Sequence, residues 1–339
     1  MSSLQNKNYG LFAAAFLTFG LAACSQDDGM DETIDDSGDS ASTPAAETAP
    51  VFDRDPVPPS PTAAQDLLAR GEYLVEGIVG CGNCHNGRDD NGELVPGLEF
   101  AGNFVINEPN GPGPGGLAFT AIAPNITQHE EFGIGAWTDE EIENAIRFGI
   151  SRDGRVLGPP MAFPYYQGIS DEDMDAIIAY LRTIPGNDRQ VEASTYYIPL
   201  PPSWGEPPEA PVEAPPRGNT AEYGEYVAHN LGHCTQCHTP LVEGVEDFSR
   251  IGAGGNIFPQ PFGFTWAALT PNITPAALGN WTDDEIKRAI VYGISRDGRQ
   301  LLEFMGFSFY ELISDEDLDA IVTYLRSLPP STATPPAEE

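Results

Sequence analysis

The feature that most constrains this chain is an internal repeat, in which one series of short motifs occurs twice in the same order. The tripeptide Gly-Glu-Tyr stands at 71–73 and again at 224–226, and the runs PNIT, WTD, SRDGR and SDED also recur downstream. A duplication on this scale predicts two similar domains rather than a many-repeat solenoid. The length of 339 residues suits two domains as well.

Both copies have the sequence pattern of helices. A segment at 64–80, and its counterpart at 219–233, leads into a pair of cysteines. Capping-box pairs open a middle helix, and a serine before an i, i+3, i+4, i+7 apolar stripe opens the last one. The residues concerned are Thr138 with Glu141, Thr282 with Glu285, Ser170 and Ser314. Since few strands are needed to account for the chain, we expect an all-α fold.

The N-terminus predicts export. Residues 1–23 contain the basic Lys7 and an apolar segment that is too short for a membrane span and typical of a secretory signal. The signal ends in Leu-Ala-Ala and Cys24, which resembles a bacterial lipobox with a lipidated cysteine. The alternative is an ordinary cleavage site that happens to hold a cysteine. We therefore expect an exported protein whose only membrane attachment is its lipid anchor, at the outer membrane and facing the periplasm.

Composition divides the remaining chain. Residues 24–63 are rich in Asp, Ser, Ala, Thr and Pro and are expected to form a disordered tether. The first domain is expected at 64–198 and the second at 219–330, joined by a stiff Pro-rich linker at 199–218. A flexible tail, 331–339, follows.

Two CxxCH motifs carry the chemistry. They are Cys81-Gly82-Asn83-Cys84-His85 and Cys234-Thr235-Gln236-Cys237-His238. This spacing lets two thiols add to the vinyl groups of one haem while the following imidazole ligates its iron. A zinc site and a redox disulfide are the alternatives for a single CxxC pair. Neither explains a histidine after both pairs, so we predict two covalently attached haem c groups.

The sixth iron ligand follows by elimination. Met161 and Met305 match each other in the repeat and lie in loops rich in aromatic residues, before the last helix of each copy. Met174 occupies a helix position that the repeat fills with leucine, so it belongs to the core. We predict axial ligation by Met161 and Met305, the alternative being two gap-filling core methionines. The histidines without a histidine counterpart are expected at the surface: His129, His229 and His233.

The order CxxCH, PNIT, WTDEEI, SRDGR, methionine loop and SDEDxDAIxAYLR resembles the haem-c subunits of bacterial membrane-bound alcohol and gluconate dehydrogenases. It is also similar to related small diheme cytochromes c, and the resemblance covers about residues 66–329. It implies two tandem cytochrome c domains, His/Met ligation and electron transfer. Those subunits usually carry three haem domains, whereas this chain has two CxxCH motifs.

The SRDGR turns supply candidate contacts to haem propionates. The residues are Arg152, Arg155, Arg296 and Arg299. The alternative is that Arg-Asp-Gly-Arg forms only a turn with solvated charges.

Charge and ligation together predict the function. A formal charge of −35 argues against nucleic acid and favours redox protein partners with basic docking faces. Because both faces of each iron are occupied, we expect no small-molecule substrate and no enzyme. We expect a periplasmic-side carrier of single electrons between a dehydrogenase or quinol-oxidising complex and a terminal acceptor. The alternatives are a diheme redox enzyme of the peroxidase or thiosulfate-oxidising type, with one labile axial methionine, and a structural or sensing lipoprotein.

Overall fold

A computed structural model describes residues 51–89, 93–109, 111–242, 245–258, 268–302 and 305–332. The expected signal peptide, Cys24, the tether up to residue 50 and most of the expected tail lie outside these residues. Among the helices in the described ranges, none is long and apolar enough to cross a membrane.

Helices form the framework of both halves. Those of the first half are α1 (Leu67–Tyr73), α2 (Gly82–His85), α3 (Asp139–Phe148), α4 (Phe163–Tyr166) and α5 (Asp171–Leu181). Those of the second half are α6 (Ala221–Glu225), α7 (Cys234–His238), α8 (Pro275–Leu278), α9 (Asp283–Tyr292), α10 (Phe307–Tyr310) and α11 (Asp315–Ser327). π-helical turns, Leu74–Ile78 and Tyr226–Leu231, extend α1 and α6. The order of elements repeats, with α8 as an addition in the second half.

The predicted helix starts are confirmed. Thr138 and Thr282 each form a complete capping box with the glutamate three residues later. Ser170 and Ser314 cap α5 and α11 through hydrogen bonds from the backbone three residues on. Each of these helices carries three acidic residues in its first turn, where the positive end of the helix dipole stabilises them.

The repeated Gly-Glu-Tyr motif marks a close helix crossing. A Cβ atom on Gly71 would overlap the carbonyl oxygen of Ala176, and one on Gly224 would overlap that of Ala320. Only glycine lets α1 approach α5, and α6 approach α11, this closely. The crossing fixes each cysteine-bearing segment against the last helix of its own domain.

Short strands accompany the helices, so the prediction of an all-α chain is only partly right. The strands are β1 (Val105–Pro109), β2 (Leu117–Ile122), β3 (Thr195–Tyr196), β4 (Leu241–Val242), β5 (Val245–Glu246), β6 (Ile257–Phe258) and β7 (Ala268–Leu269). β1, β2 and β3 form one antiparallel sheet, while β4 pairs with β5 and β6 with β7. The Gly/Pro-rich stretch after β1 reverses the chain, and Ile106 and Phe119 bury a small core of their own.

The two domains share one hydrophobic core. A single cluster of buried side chains contains Leu74 and Ile177 of the first domain together with Val227 and Ile321 of the second. The halves are therefore packed against each other rather than held apart by a stiff linker.

The segment before the first domain is bound to the second. We call residues 51–61 the N-terminal strap. The ring of Phe52 lies 5.7 Å from that of Tyr292, and the carbonyl of Val57 accepts a hydrogen bond from the backbone N–H of Asp315 (3.1 Å). The predicted end of the tether, at residue 63, is therefore too late in the sequence, because these contacts join residues of the strap to the folded protein.

The Pro-rich linker is bound in a similar way, to the first domain. The ring of Trp204 stacks on Phe163 (5.7 Å), and its indole N–H donates to the carbonyl of Leu157 (2.6 Å). Further along, the carbonyl of Val212 accepts a hydrogen bond from the backbone N–H of Asp171 (2.9 Å). Proline-rich composition indicates an extended chain, but these anchors are tertiary contacts.

Candidate haem sites

Each CxxCH motif forms a single helical turn. In the first domain the N–H of His85 donates to the carbonyl of Cys81 (3.0 Å), and α7 contains all five residues of the second motif. A helical turn places residues three apart on one face, so the two thiols of each motif face the same side. The four cysteines of the two motifs are free of disulfides.

The repeated PNIT motif fixes the histidine that follows each cysteine pair. Nδ1 of His85 lies 2.9 Å from the carbonyl oxygen of Pro124, and Nδ1 of His238 lies 2.8 Å from that of Pro271. Because a carbonyl can only accept, Nδ1 carries the proton and donates in each pair. Nε2 is then left with a free lone pair, the state that a metal ligand requires.

The surroundings keep both imidazoles neutral. Burial lowers the pKa of His85 and of His238, and the hydrogen bonds to Pro124 and Pro271 oppose this only in part. A protonated imidazole could not bind iron, so the lowered pKa values suit a ligand at neutral pH.

The thiols are not the activated thiolates of a redox disulfide. Burial raises the pKa of Cys81 to about 12, that of Cys234 to about 11 and that of Cys237 to about 12. Reactive CxxC motifs instead have lowered thiol pKa values. In the described ranges, no group of three or more His, Cys, Asp or Glu side chains could hold a metal ion. The zinc and disulfide alternatives therefore gain no support.

In the second domain an apolar cavity brings the predicted ligands together. Cys234, His238 and Met305 line this cavity. The other side chains around it are aliphatic or aromatic: Ile78, Ile273, Ile290, Tyr310, Ile313, Ile321 and Leu325. Cys237 lies in the same helical turn as Cys234 and supplies a second thiol. Two thiols, an imidazole with a free nitrogen, a thioether and an apolar wall are the donor set that a covalently attached haem requires. The residues present fit that group.

In the first domain Met161 is the repeat counterpart of Met305. It is half-buried and packs against the same core cluster as Cys81. The helix that follows it, α4, places Tyr166 beside the first motif, since burial and then the nearby thiols of Cys81 and Cys84 raise the pKa of this tyrosine. The helix that follows Met161 therefore lies near the first cysteine pair, and ligation of a haem there by Met161 stays a prediction.

The two sites are neighbours. Ile78, in the π-helical turn of the first domain, lines the cavity of the second. Burial raises the pKa of Tyr310, and its next largest causes are the thiols of Cys234, Cys237 and Cys84, which belong to both motifs. The Gln236 side chain also donates to the carbonyl of Pro160, next to Met161 (3.4 Å). The methionine loop of one domain thus faces the cysteine turn of the other.

The candidate propionate arginines lie at the surface. Arg152, Arg155 and Arg296 are each about half exposed and lie 3.6–3.8 Å from carboxylates of their own domain. Arg299 is also exposed. Their contact with haem propionates stays a prediction.

A different arginine is better placed near the first site. Nη1 of Arg189 is buried beside Gly87, two residues after His85, and has no hydrogen-bond partner in the described part of the protein. A buried, unpaired N–H needs an acceptor, and a carboxylate would supply it. Sequence reasoning missed Arg189 because its counterpart in the repeat falls at the chain's end, outside the motifs.

Two of the extra histidines lie at the domain interface rather than at the surface. His229 lies 4.8 Å from the ring of Tyr165 and hydrogen-bonds Thr235 through Nδ1 (2.7 Å). His233 contacts the edge of Tyr166, and burial lowers its pKa to about 4. Their surroundings are those of packing residues, so the expected surface position is wrong for this pair.

Two similar helical domains, each with a CxxCH turn beside a methionine loop, define a tandem haem-attachment protein. The cytochrome c family matches residues 68–185 and 221–329. The chain therefore belongs to the cytochrome c family and contains two of its domains, as the repeat predicts.

Several relatives are similar along most of the chain. It is 31% identical to a diheme cytochrome c-type protein of Cereibacter sphaeroides, over 77% of this chain and 86% of that one. It is 30% identical to the fructose dehydrogenase cytochrome subunit of Gluconobacter japonicus, over 81% of this chain and 55% of the relative. It is 29% identical to the cytochrome c subunit of a quinone-dependent alcohol dehydrogenase of Komagataeibacter europaeus, over 82% of this chain and 59% of the relative.

The chain spans little more than half the length of these dehydrogenase subunits but most of the diheme protein. The three relatives named here are a diheme cytochrome and two cytochrome subunits of dehydrogenases.

Proposed function

We propose that this protein is a diheme carrier that passes single electrons between a periplasmic dehydrogenase, or a quinol-oxidising complex, and a terminal acceptor. When bound, haem c supplies a one-electron iron couple. The observation that carries the proposal is the apolar cavity in which Cys234, His238 and Met305 meet. In the first domain the repeat gives Met161 and His85 the sequence positions that correspond to Met305 and His238.

The protein's own side chains have separate roles in this proposal. Two haems would be attached through the four cysteines of the motifs, Cys81, Cys84, Cys234 and Cys237. Covalent attachment prevents the cofactors from dissociating. The carbonyls of Pro124 and Pro271 hold the histidine rings in the tautomer that leaves Nε2 free. The thioether sulfurs of Met161 and Met305 would stabilise the ferrous state and leave no position for a substrate.

The shared core supports transfer between the two haems within one chain. Ile78 of the first domain lines the cavity of the second, so the two sites share a wall that belongs to the common core. Packing of this kind would keep the distance between the cofactors nearly constant. The protein would therefore accept an electron at one site and release it at the other.

The partner is proposed from the relatives and from the charge. Relatives that are cytochrome subunits of alcohol, fructose and gluconate dehydrogenases make a dehydrogenase the favoured donor. The net charge of −35 favours a basic docking face on each partner.

Export and attachment through Cys24 are part of the same proposal. A lipidated Cys24 would hold the carrier at the outer membrane, facing the periplasm, with no spanning helix. Cys24→Ala should move the protein from the membrane fraction to the soluble periplasmic fraction while both haems remain attached. Retention of Cys24→Ala in the membrane fraction would show that another element anchors the chain.

Substitution of the methionines tests the ligation. In the ferric protein, Met161→Ala and Met305→Ala should each remove about half of the far-red sulfur-to-iron charge-transfer band. Met174→Leu is the matched control, because Met174 is a core residue with 1% exposure whose counterpart in the repeat is Leu318. The control should leave the whole band. An unchanged band in either alanine variant would show that this methionine does not bind iron.

A further inference from the structure

In the first domain one buried arginine holds the segment between the methionine loop and the last helix. The Arg147 side chain, on α3, is only 1% exposed. Its guanidinium donates to the carbonyls of Gln167 (3.1 Å) and Ile169 (2.6 Å) and to the carboxylate of Asp171 (3.0 Å). Those carbonyls follow α4, where a helix end leaves acceptors without helical partners. A single cation therefore satisfies the turn that connects Met161 to α5.

The second domain lacks this arginine. The helices α3 and α9 both have ten residues, and their ninth residue is Arg147 in the first and Val291 in the second. Val291 is wholly buried and has no side-chain donor. The carbonyls that follow α10 must therefore find another cation.

Arg54 of the N-terminal strap supplies it. Its guanidinium donates to the carbonyls of Glu311 (3.1 Å) and Ile313 (2.7 Å) and, through Nε, to the carboxylate of Asp315 (3.1 Å). These acceptors are the repeat counterparts of the three that Arg147 binds. The Arg54 side chain is only 9% exposed, although the strap precedes the first domain.

The strap and the linker occupy equivalent places. Asp315 donates its backbone N–H to the carbonyl of Val57 in the strap, and Asp171 donates to Val212 in the linker. The segment before each domain thus binds the last helix of the other domain. The strap adds the guanidinium that α9 does not provide.

We propose that Arg54 is a positioning residue for the second haem site, holding the turn that follows α10 in place of the missing arginine of α9. The proposal rests on the proposed His/Met ligation. Met305 stands two residues before α10, and Arg54 closes the other end of α10. Without Arg54 the carbonyls of Glu311 and Ile313 lose a charged donor, and the methionine loop should open more often.

Imidazole is the probe of that opening, because it binds the iron only when methionine has left. In the full-length protein carrying both haems and Met161→Ala, the remaining sulfur-to-iron band reports Met305 alone. Adding Arg54→Ala should lower the imidazole concentration that removes half of this band by about tenfold or more, since the open fraction sets the apparent affinity. Arg147→Ala in the same background should change it less than about twofold.

The reverse background completes the test. In Met305→Ala protein, Arg147→Ala should show the tenfold effect and Arg54→Ala should not. If Arg54→Ala does not fold with its haems, Arg54→Lys carries the test, because lysine keeps the charge but cannot bind three acceptors as a fork. We expect a smaller shift in the same direction.

Equal imidazole sensitivity with and without Arg54, or equal effects on both haems, would overturn the positioning role. A different result would overturn the proposed ligation itself. In that case the single variants Met161→Ala and Met305→Ala would each leave the sulfur-to-iron band intact. The failure of the two proposals can therefore be told apart.

Discussion

Tyr73 of the first domain donates a hydrogen bond through its hydroxyl to the carboxylate of Asp317 in the second domain. The same relationship exists in reverse, because Tyr226 of the second domain donates to Asp173 of the first (2.7 Å). Each tyrosine hydroxyl also accepts from the backbone N–H of the serine that caps the partner's last helix, Ser314 or Ser170 (both 3.1 Å). The tyrosines of the Gly-Glu-Tyr motifs thus cross-link the two domains through buried carboxylates.

This relationship predicts that the hydroxyls couple the domains. Tyr73→Phe and Tyr226→Phe should each lower the free energy of unfolding by about 1–3 kcal/mol, because a buried carboxylate and a buried N–H lose a partner. Denaturant unfolding measures the loss. Tyr197→Phe is the control, since Tyr197 is 37% exposed and should change stability by less than about 0.5 kcal/mol. Interface variants that behave like the control would contradict the coupling.

The two buried aspartates are not equivalent. Asp173 also forms a bidentate pair with Arg70 (both distances 2.7 Å), whereas Asp317 receives a second hydroxyl, from Tyr223 (2.8 Å). Burial raises the pKa of the Asp173 carboxyl, but the hydrogen bonds and charge of Arg70, with a hydrogen bond from Tyr226, lower it overall.

The sign of that shift predicts acid sensitivity. A carboxyl whose pKa is lower in the folded state stabilises the fold above its unfolded pKa, and this contribution is lost as the pH falls through the folded value. Unfolding free energy should therefore fall below about pH 4, with a steeper slope in the parent than in Asp173→Asn. Equal slopes in the two proteins would show that Asp173 does not titrate with unfolding.

Local signals in the sequence were sufficient for much of this architecture. Capping serines and threonines, the CxxCH turns and the paired methionines depend on neighbours a few residues apart, and the repeat tests each of them twice. The N-terminal strap could not be found in this way. Its Pro-rich, acidic composition is the same as that of the tether, and only the contact of Arg54 with the second domain distinguishes it.

A comparison of the two repeat copies nevertheless indicates that the second domain needs a cation from another segment. Val291 stands where Arg147 would be expected, and a missing buried cation implies a replacement from elsewhere in the chain. Likewise, the PNIT motif stands out because it recurs in both halves, but its contact with histidine depends on a carbonyl whose direction no side-chain pattern records.

The PNIT turns predict a local effect on haem potential. The amide of Asn125 bonds the carbonyls of Asn187 and Arg189 and accepts from Thr127, and Asn272 makes similar bonds to Ser331 and Thr274. Asn125→Ala should loosen the carbonyl that binds His85, make the imidazole less basic and raise the potential of the first haem only. Asn272→Ala should do so at the second.

Redox titration, which measures the potential of each haem, tests that prediction. Each variant should shift one of two one-electron waves and leave the other in place, which makes the two asparagines controls for each other. A common shift of both waves would indicate a general change in the fold instead.

The acidic surface predicts opposite salt effects for oxidants of opposite charge. Oxidation of the reduced protein by cationic tris(phenanthroline)cobalt(III) should slow as salt is added, because screening weakens attraction to a chain of charge −35. Oxidation by ferricyanide, an anion, should become faster. Stopped-flow measurement over a range of ionic strength checks both. Rates that do not depend on salt would contradict electrostatic docking of a basic partner.

In the proposed function both irons have two protein ligands and serve only to carry electrons. Exposure of the fully reduced, full-length protein to carbon monoxide tests it most directly, because the gas binds ferrous haem that has an open position. We expect no change in the optical spectrum at either haem of the parent, and binding at one haem in Met161→Ala or Met305→Ala. Binding of about one carbon monoxide per chain in the parent would contradict it and favour a diheme enzyme with a labile methionine.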